Sequence, residues 1–110
     1  MSISKKENFE ENAQTLAEFA KALGHPARIA ICEFLAKNDV CFSGDIANEI
    51  PLGRSTVTQH LNELKSAGLI QGTVNGKNVC YCINPAKWIA AQKLMNDLFK
   101  QTATIKIIQC

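Results

Sequence analysis

The chain has 110 residues, 46% of them hydrophobic, which predicts one globular domain with a modest core and excludes a disordered chain. No apolar run reaches the ~18 residues that span a bilayer, and the N-terminus lacks the apolar segment of a signal peptide, so we expect a cytoplasmic protein without a membrane partner. The net charge is +2, but residues 51–110 carry seven Lys or Arg against two Asp or Glu, which is compatible with a polyanionic partner or with a solvated basic face.

Two helices are predicted in the first third of the chain. Apolar residues at helical spacing predict the first helix at about 7–23, and Gly24 ends it. His25-Pro26 opens the second helix, because proline is tolerated in a first turn. The apolar face of the first helix consists of Phe9, Ala13, Leu16, Ala20 and Leu23, and that of the second consists of Ala27, Ala30, Ile31, Phe34 and Leu35.

The middle of the chain predicts a short strand followed by two helices. Val40-Cys41-Phe42 is an extended piece, and Ser43 is a natural N-cap for a short third helix that carries Ile46, Ala47 and Ile50. A turn at 51–53 precedes a fourth helix over 54–67, which buries Val57, Leu61 and Leu64. Gly68 suits the left-handed position after this helix, with Leu69 folding back onto its last turn.

A β-hairpin and a fifth helix complete the predicted elements. The strands run from Leu69 to Val74 and from Lys77 to Ile83, and Asn75-Gly76 is predicted to fill the two turn positions with positive φ. Asn84-Pro85 begins a helix over about 85–102, whose apolar face consists of Trp88, Ala91, Met95, Leu98 and Phe99. The tail beyond it is ambiguous between strand and helix. The order α-α-β-α-α-β-β-α is that of a winged helix-turn-helix.

The fourth helix has outward positions that are unusual for a merely solvated face. Short hydroxyls and an amide suit contacts with phosphates and base edges, whereas a helix selected for solubility would carry Glu and Lys. Threonine also lowers helix propensity, so its presence needs a reason. The candidate DNA-binding residues of this helix are Arg54, Ser55, Thr56, Thr58 and Gln59. These residues favour DNA binding over another small α+β domain.

The stretches ALGHPARIAICEFL, STVTQHLNELKSAGLI, NGK and VCYCI resemble the ArsR/SmtB family of bacterial metal- and thiol-sensing repressors, over roughly residues 16–84. The resemblance implies a homodimer, paired through the first and last helices, that binds a promoter and leaves it when an inducer binds. Arg54, Ser55, Thr58 and Gln59 match the DNA-reading positions, and Lys77 at the hairpin tip would reach backbone or minor groove. His60 matches a packing position, so its role is structural first and a base contact second.

The sensing sites that the resemblance implies are not carried over whole. A zinc site on the fifth helix needs histidines and carboxylates, but residues 85–101 contain no His and one Asp. The Cys-x-Cys pair of arsenic repressors is reduced to Cys41 at the start of the third helix. Persulfide sensors pair a second-helix cysteine, here Cys32, with one on the last helix, but the nearest thiol is Cys110.

The hairpin offers a different thiol pair. Because side chains alternate along a strand, Cys80 and Cys82 share one face, away from Val79, Tyr81 and Ile83. With Cys41 on an adjacent strand, three thiolates would bind As(III) or Sb(III), or Zn or Cd with a fourth ligand. Two alternatives stay open: strand cysteines without a ligand, and a redox or persulfide switch that joins Cys32 or Cys41 to Cys110. The odd cysteine count predicts reduced thiols in either case.

Other classes of function are less well supported by the residues. The sequence suggests no Ser/His/acid or Cys/His pairing and no phosphate loop, so an enzyme is not expected, nor is a constitutive cofactor. A winged helix used only for protein contact is a further alternative, and salt-dependent binding to DNA would separate it from the DNA-binding interpretation.

Overall fold

The computed structural model describes residues 9–37 and 46–101. Within these ranges the helices are α1 (Glu11–Ala22), α2 (Pro26–Ala36), α3 (Arg54–Ser66) and α4 (Pro85–Gln101), and the strands are β1 (Ile70–Asn75) and β2 (Asn78–Ile83). The predicted third helix is a three-residue 3-10 turn over Ile46–Asn48. The predicted strand at 40–42, the cap Ser43, Cys41 and the tail with Cys110 lie outside the described residues.

The start of α2 agrees with the sequence. His25 is the N-cap residue, and its Nδ1 accepts a hydrogen bond from the backbone N–H of Ala27 at 3.0 Å. Pro26 occupies the first helical position, where its missing N–H leaves no acceptor unpaired. The side chain of His25 therefore caps the N-terminus of α2, a position at which Ser or Asp is more usual.

The end of α3 also has the predicted geometry. Gly68 has φ +83°, its N–H donates to the carbonyl of Lys65 at 2.9 Å, and the N–H of Leu69 donates to the carbonyl of Leu64 at 3.1 Å. This pair of bonds is a Schellman motif, which satisfies the last carbonyls of the helix. Leu69 is buried completely and leads directly into β1, so the C-cap fixes where the hairpin leaves the helix.

The hairpin turn corrects one prediction. β1 and β2 pair antiparallel with Asn75 opposite Asn78, so the two turn residues are Gly76 and Lys77 rather than Asn75 and Gly76. Gly76 has φ +65°, and no non-glycine residue in the described part of the chain has positive φ. Positive φ at the first turn position alone is the II′ pattern, which favours Gly there.

The observed hairpin register also has a packing reason. Gly72 lies opposite Tyr81, and a Cβ on Gly72 would stand 3.1 Å from Cε1 of the Tyr81 ring. The ring therefore lies over the one residue of β1 that leaves room for it, because Gly has no side chain. A turn one residue earlier would place Val79 rather than Tyr81 opposite this glycine.

The core lies between α2, α3 and the hairpin, and α1 and α4 pack across it. Its most completely buried large side chains are Ile31, Val57, Leu64, Leu69 and Ile70. Tyr81 and Ile83 pack against this core, as strand alternation predicts. Cys32, whose sequence position suggested packing, is itself a core residue.

The apolar face of α1 does not lie where the sequence placed it. Phe19 and Ala22 are the buried residues of α1, whereas Ala13 and Ala20 of the predicted apolar face are exposed and Phe9 is 64% exposed. Leu16 and Leu23 are half-buried, and Leu23 packs against the core. The expected apolar stripe therefore exists, but most of it faces away from the core of its own chain.

Candidate nucleic-acid interface and thiol pair

The first two turns of α3 present a polar surface around one buried residue. Val57 is 1% exposed and holds the helix on the core. Arg54, Ser55, Thr58 and Gln59 are exposed, and Thr56 is half-buried. Four of the five candidate DNA-binding residues of this helix thus have accessible side chains, and Thr56 lies at the border of the surface they form.

The N-cap position of α3 is a glycine, which has no side chain to cap the helix. Gly53 is the N-cap residue and makes no side-chain cap hydrogen bond. The first N–H groups of any α-helix lack an intrahelical acceptor and carry the positive end of the helix dipole. The Thr58 hydroxyl donates to the carbonyl of Arg54 at 3.0 Å, and its oxygen keeps lone pairs that accept further hydrogen bonds.

His60 is itself buried and lies in a cluster with the half-buried Arg28 and the exposed His25, apart from this exposed surface. It is 8% exposed, and its Nδ1 accepts a hydrogen bond from Nε of Arg28 at 3.0 Å. The centroids of the His25 and His60 rings are 4.3 Å apart, with the ring planes at 41°. Burial, followed by the charges of His25 and Arg28, lowers the pKa of His60. These contacts agree with the structural role that the resemblance implies for His60.

The hairpin places Lys77 at its tip. Lys77 is the second turn residue and is exposed, next to the exposed Gly76. Val74 is 75% exposed just before the turn. The end of the wing therefore has little burial of its own, and a cation at its tip is free to approach a polyanion.

Cys80 and Cys82 lie on one face of the hairpin, as predicted. Their direct partners across the sheet are Thr73 and Gln71 respectively, and both partners are exposed. Both cysteines are half-buried and are not in a disulfide. Nε2 of Gln71 donates to Sγ of Cys82 at 3.7 Å, a long and weak contact. The thiols therefore stand on the outer face of the wing, opposite the face that packs on the core.

The third ligand of the predicted three-thiol site, Cys41, lies outside the residues that the structure describes. Within residues 9–37 and 46–101, no group of three or more His, Cys, Asp or Glu side chains is placed to hold a metal ion. A three-thiol site with Cys41 depends on a residue outside these ranges. Because Cys80 and Cys82 are two residues apart on a strand, their Cα atoms are ~6.6 Å apart. The two side chains must therefore rotate toward each other for both sulfur atoms to bind one ion.

Cys32 is in a different chemical state from the wing pair. It is 4% exposed within the core, and burial raises the pKa of its thiol to about 11. At pH 7 the thiolate, which is the nucleophile and the metal ligand, is then on the order of one molecule in 10⁴. A buried, protonated thiol is a poor attacking group for a disulfide or persulfide.

A second surface of the chain is apolar and open. On α4, Ile89 is 62% exposed, Leu98 is 43% exposed and Phe99 is 60% exposed. A shallow pocket of about 240 Å³ lies between this helix and its neighbours, lined by Leu23, Leu69, Trp88, Ala91, Gln92, Met95 and Asn96. α1 packs against α4, so the two terminal helices are neighbours in the fold.

Comparison with known proteins places the chain in a family. A model described as a helix-turn-helix domain matches residues 23–73. The structure is similar to the transcriptional repressor BigR of Xylella fastidiosa, with a TM-score of 0.62 and 30% identity over 94% of this chain and 98% of that chain. It is also similar to an ArsR-like transcriptional regulator of Rhodococcus sp. RHA1, with a TM-score of 0.67 and 23% identity over 79% of this chain and 81% of that chain.

The cadmium metal-sensor CmtR of Mycobacterium tuberculosis is a further neighbour, with a TM-score of 0.51 and 29% identity over 86% of this chain and 91% of that chain. The chain belongs to the ArsR family of winged helix-turn-helix transcriptional regulators. The predicted fold and family are confirmed, and the family is one of DNA-binding regulators rather than enzymes. In this ArsR-family regulator, no helix of the described ranges is long and apolar enough to cross a membrane.

Arg28 is the site residue that the sequence did not reveal in this ArsR-family regulator. It lies within α2, half-buried, and its partner His60 is 32 residues away in the chain. An arginine between apolar residues of a helix is a weak indication of a functional contact, because such a residue usually lies at the edge of the solvent-exposed face. The only sequence feature that could have drawn attention to it is its place three residues after the capping His25.

Proposed function

We propose that the protein is a homodimeric repressor that binds double-stranded DNA at an imperfect inverted-repeat operator. The observation that carries this proposal is the exposed Arg54, Ser55, Thr58 and Gln59 of α3 around the buried Val57. α3 is then the recognition helix, whose N-terminal half enters the major groove while the hairpin contacts the backbone or the minor groove.

Each exposed group has a contact that its chemistry suits. The amide of Gln59 pairs bidentately with N6 and N7 of adenine, which selects that base. The first N–H groups of α3, together with Ser55, suit a phosphate at the positive end of the helix. Arg54 and Lys77 supply charge for phosphates, so their contribution depends on salt. Thr56, at the border of the surface, adds a backbone contact.

Dimerisation is proposed from the open apolar surface of the two terminal helices, about residues 7–23 and 85–102. Phe9, Ile89 and Phe99 are each at least 60% exposed in the single chain, and large apolar patches on a soluble protein mark an interaction surface. An interface that buries them pairs α1 and α4 with those of a second copy. The two recognition helices then face half-sites about one helical turn, ~34 Å, apart.

The inducer site is proposed at the wing. Cys80 and Cys82, joined by Cys41, bind a soft ion, for which thiolates are the preferred ligands. Arsenite is the first candidate, followed by Sb(III), Zn and Cd, and a neighbour of this fold is itself a cadmium sensor. The weak contact from Gln71 to Cys82 is displaced when the ion binds. Because the pair stands on the strand that leads from the tip, a bound ion changes the hairpin that contacts DNA.

A redox- or persulfide-responsive repressor is the alternative. It uses Cys32 or Cys41 with Cys110. The raised pKa of Cys32 weighs against this thiol as the attacking group. Cys41 with Cys110 is then the version of this alternative that the described residues leave open.

Selection from a random duplex library followed by gel shift tests DNA binding. The wild-type protein is expected to enrich an inverted repeat and to bind it with steep salt dependence. Light scattering on the same sample measures the mass, and Phe99→Glu is expected to yield a monomer with weakened binding. Enrichment of no sequence, or salt-independent retention, would refute the DNA-binding proposal, and a wild-type monomer would refute the dimer.

Release of the selected duplex tests the inducer. Arsenite, antimonite, zinc, cadmium and a polysulfide are each added to the complex of the wild type, of Cys80→Ser/Cys82→Ser and of Cys110→Ser. The metalloid proposal expects release of the wild type and of Cys110→Ser but not of the double variant. Release by polysulfide alone, lost in Cys110→Ser, would favour the redox alternative, and an unchanged response of the double variant would rule out the wing site.

A further inference from the structure

One guanidinium joins three elements of the fold. Nη1 of Arg28 donates to the carbonyls of Lys21 and Ala22, each at 3.2 Å, and Nε donates to Nδ1 of His60 at 3.0 Å. Lys21 and Ala22 are the last residues of α1, and His60 lies in the middle of α3. Arg28 itself is in α2, so its side chain ties the end of α1 to the recognition helix.

The bond to His60 requires a defined protonation state. Arginine nitrogens only donate hydrogen bonds and stay charged throughout the ordinary pH range, so Nδ1 of His60 must be the unprotonated acceptor. Nδ1 of His25 is occupied by the N–H of Ala27, which orients the ring that stacks on His60. Burial, His25 and Arg28 all lower the pKa of His60, so the neutral form is the stable one.

The side chain of Arg28 is suited to setting an angle between helices. The carbonyls at the end of α1 carry the negative end of its dipole, which attracts a cation. The guanidinium is planar and its donors point in fixed directions, so three acceptors on two elements define the position of those elements relative to each other. Gln59, the candidate base-reading residue, directly precedes His60 in α3. A shift of α3 at His60 therefore also moves Gln59.

We propose that Arg28, acting through His60, is a positioning residue for DNA binding: it fixes the orientation of α3 relative to α1, and so the separation of the two recognition helices in the dimer. This inference rests on the proposed function, since α1 is part of the proposed dimer surface. One added base pair moves a half-site by ~3.4 Å and rotates it by roughly 35°, so a rigid pair of helices discriminates strongly between spacings.

The experiment compares two duplexes for each variant: the inverted repeat selected by the wild type and the same repeat with one base pair inserted between the half-sites. The wild type is expected to prefer the first on the order of tenfold or more, as for a mismatched site. Arg28→Gln and His60→Leu are expected to reduce this ratio to about threefold or less. Lys37→Gln removes an exposed charge at the end of α2 that makes none of these contacts, and is expected to keep the wild-type ratio.

His60→Asn serves as the conservative variant, because its amide oxygen stands near the position of Nδ1 and cannot be protonated. It is expected to keep the spacing preference of the wild type, because it still accepts the hydrogen bond from Nε of Arg28. The double variant Arg28→Gln/His60→Leu is expected to be no worse than either single variant, since both remove the same link.

Several results would overturn the inference. Equal weakening on both duplexes, with the ratio unchanged in Arg28→Gln and His60→Leu, means that the cluster only stabilises the fold. Loss of the spacing preference in His60→Asn to the same extent as in His60→Leu means that the hydrogen bond from Arg28 is not what positions α3. If Arg28→Gln does not fold, His60→Leu, which leaves the contacts of Arg28 with α1 in place, decides alone. Failure of the wild type to select any repeat contradicts the proposed function instead.

Discussion

Lys77 and Gln59 are predicted to make opposite kinds of contribution to DNA binding. Lys77 is exposed at the tip of the hairpin, and Gln59 is exposed on α3. Neither side chain is part of the core, so Lys77→Ala and Gln59→Ala are both expected to leave the free energy of unfolding within about 0.5 kcal/mol of the wild type. Any change in DNA binding is then a change at the interface.

The magnitude for Lys77→Ala follows from the number of phosphates. One phosphate per protomer gives two in a dimer, and each contributes ~0.9 to the slope of log K against log salt concentration. The slope is therefore expected to become shallower by ~1.8. Between about 50 and 200 mM salt, this difference makes the loss of affinity about tenfold smaller for the variant than for the wild type. The ranking of operator sequences is expected to stay the same.

Gln59→Ala is the matched variant, because it removes a base contact and no charge. It is expected to lose about 1–3 kcal/mol of discrimination at one base pair in each half-site, with the salt slope unchanged. The assay is a titration of each variant against the selected duplex and its single-base variants at several salt concentrations. If both variants weaken all sequences alike, or if Lys77→Ala leaves the slope as it is, the assignment of these two residues is wrong.

Three further predictions concern the scaffold. Gly68→Ala is expected to cost about 1–2 kcal/mol in urea unfolding because Gly68 has φ +83°, with Gly68→Asn costing less; equal losses would argue against a backbone cause. Iodoacetamide at pH 7.5 is expected to label Cys80 while leaving Cys32 unmodified, because the pKa of Cys32 is raised to about 11; rapid labelling of Cys32 in the folded protein, seen by peptide mass, would contradict its burial. The free energy of unfolding is expected to fall as the pH drops below 6.5, because the unfolded chain then protonates His60 while the folded chain, with its lowered pKa, does not; His60→Asn should flatten this dependence in urea titrations.

Local backbone chemistry was the part of the fold best predicted from the sequence. The Schellman end of α3, the opening of α2 at His25-Pro26 and the opposite faces of Cys80 and Tyr81 all depend on residues close together in the chain. The predicted position of the hairpin turn was wrong by one residue, because Asn75-Gly76 and Gly76-Lys77 both contain a glycine that can adopt positive φ. What separates them is the fit of the Tyr81 ring over Gly72, which is a contact between two strands.

In the candidate site, too, the local features could be predicted from the sequence and the contacts between distant elements could not. Exposure of Gln59 and burial of Val57 follow from the helical period alone. The link from Arg28 to His60 does not, because it depends on how α2 crosses α3, and on the end of α1 lying within reach of the same guanidinium. Long-range contacts of this kind are set by packing of whole helices, for which one sequence carries no local signal.

On α1 the helical spacing of the apolar residues was predicted correctly, but most of the residues expected to be buried are exposed in the single chain. Periodicity identifies residues that leave water, but it does not identify the chain they pack against. A chain of 110 residues buries a limited fraction of its surface, and here Phe19 and Ala22 alone are the buried residues of α1. If the exposed face bearing Ala13 and Ala20 is covered by a second copy, the monomer is an incomplete folding unit. The recognition helices are then held at a fixed separation only in the dimer, and the side chain of Arg28 connects the end of α1, on the proposed dimer surface, with α3.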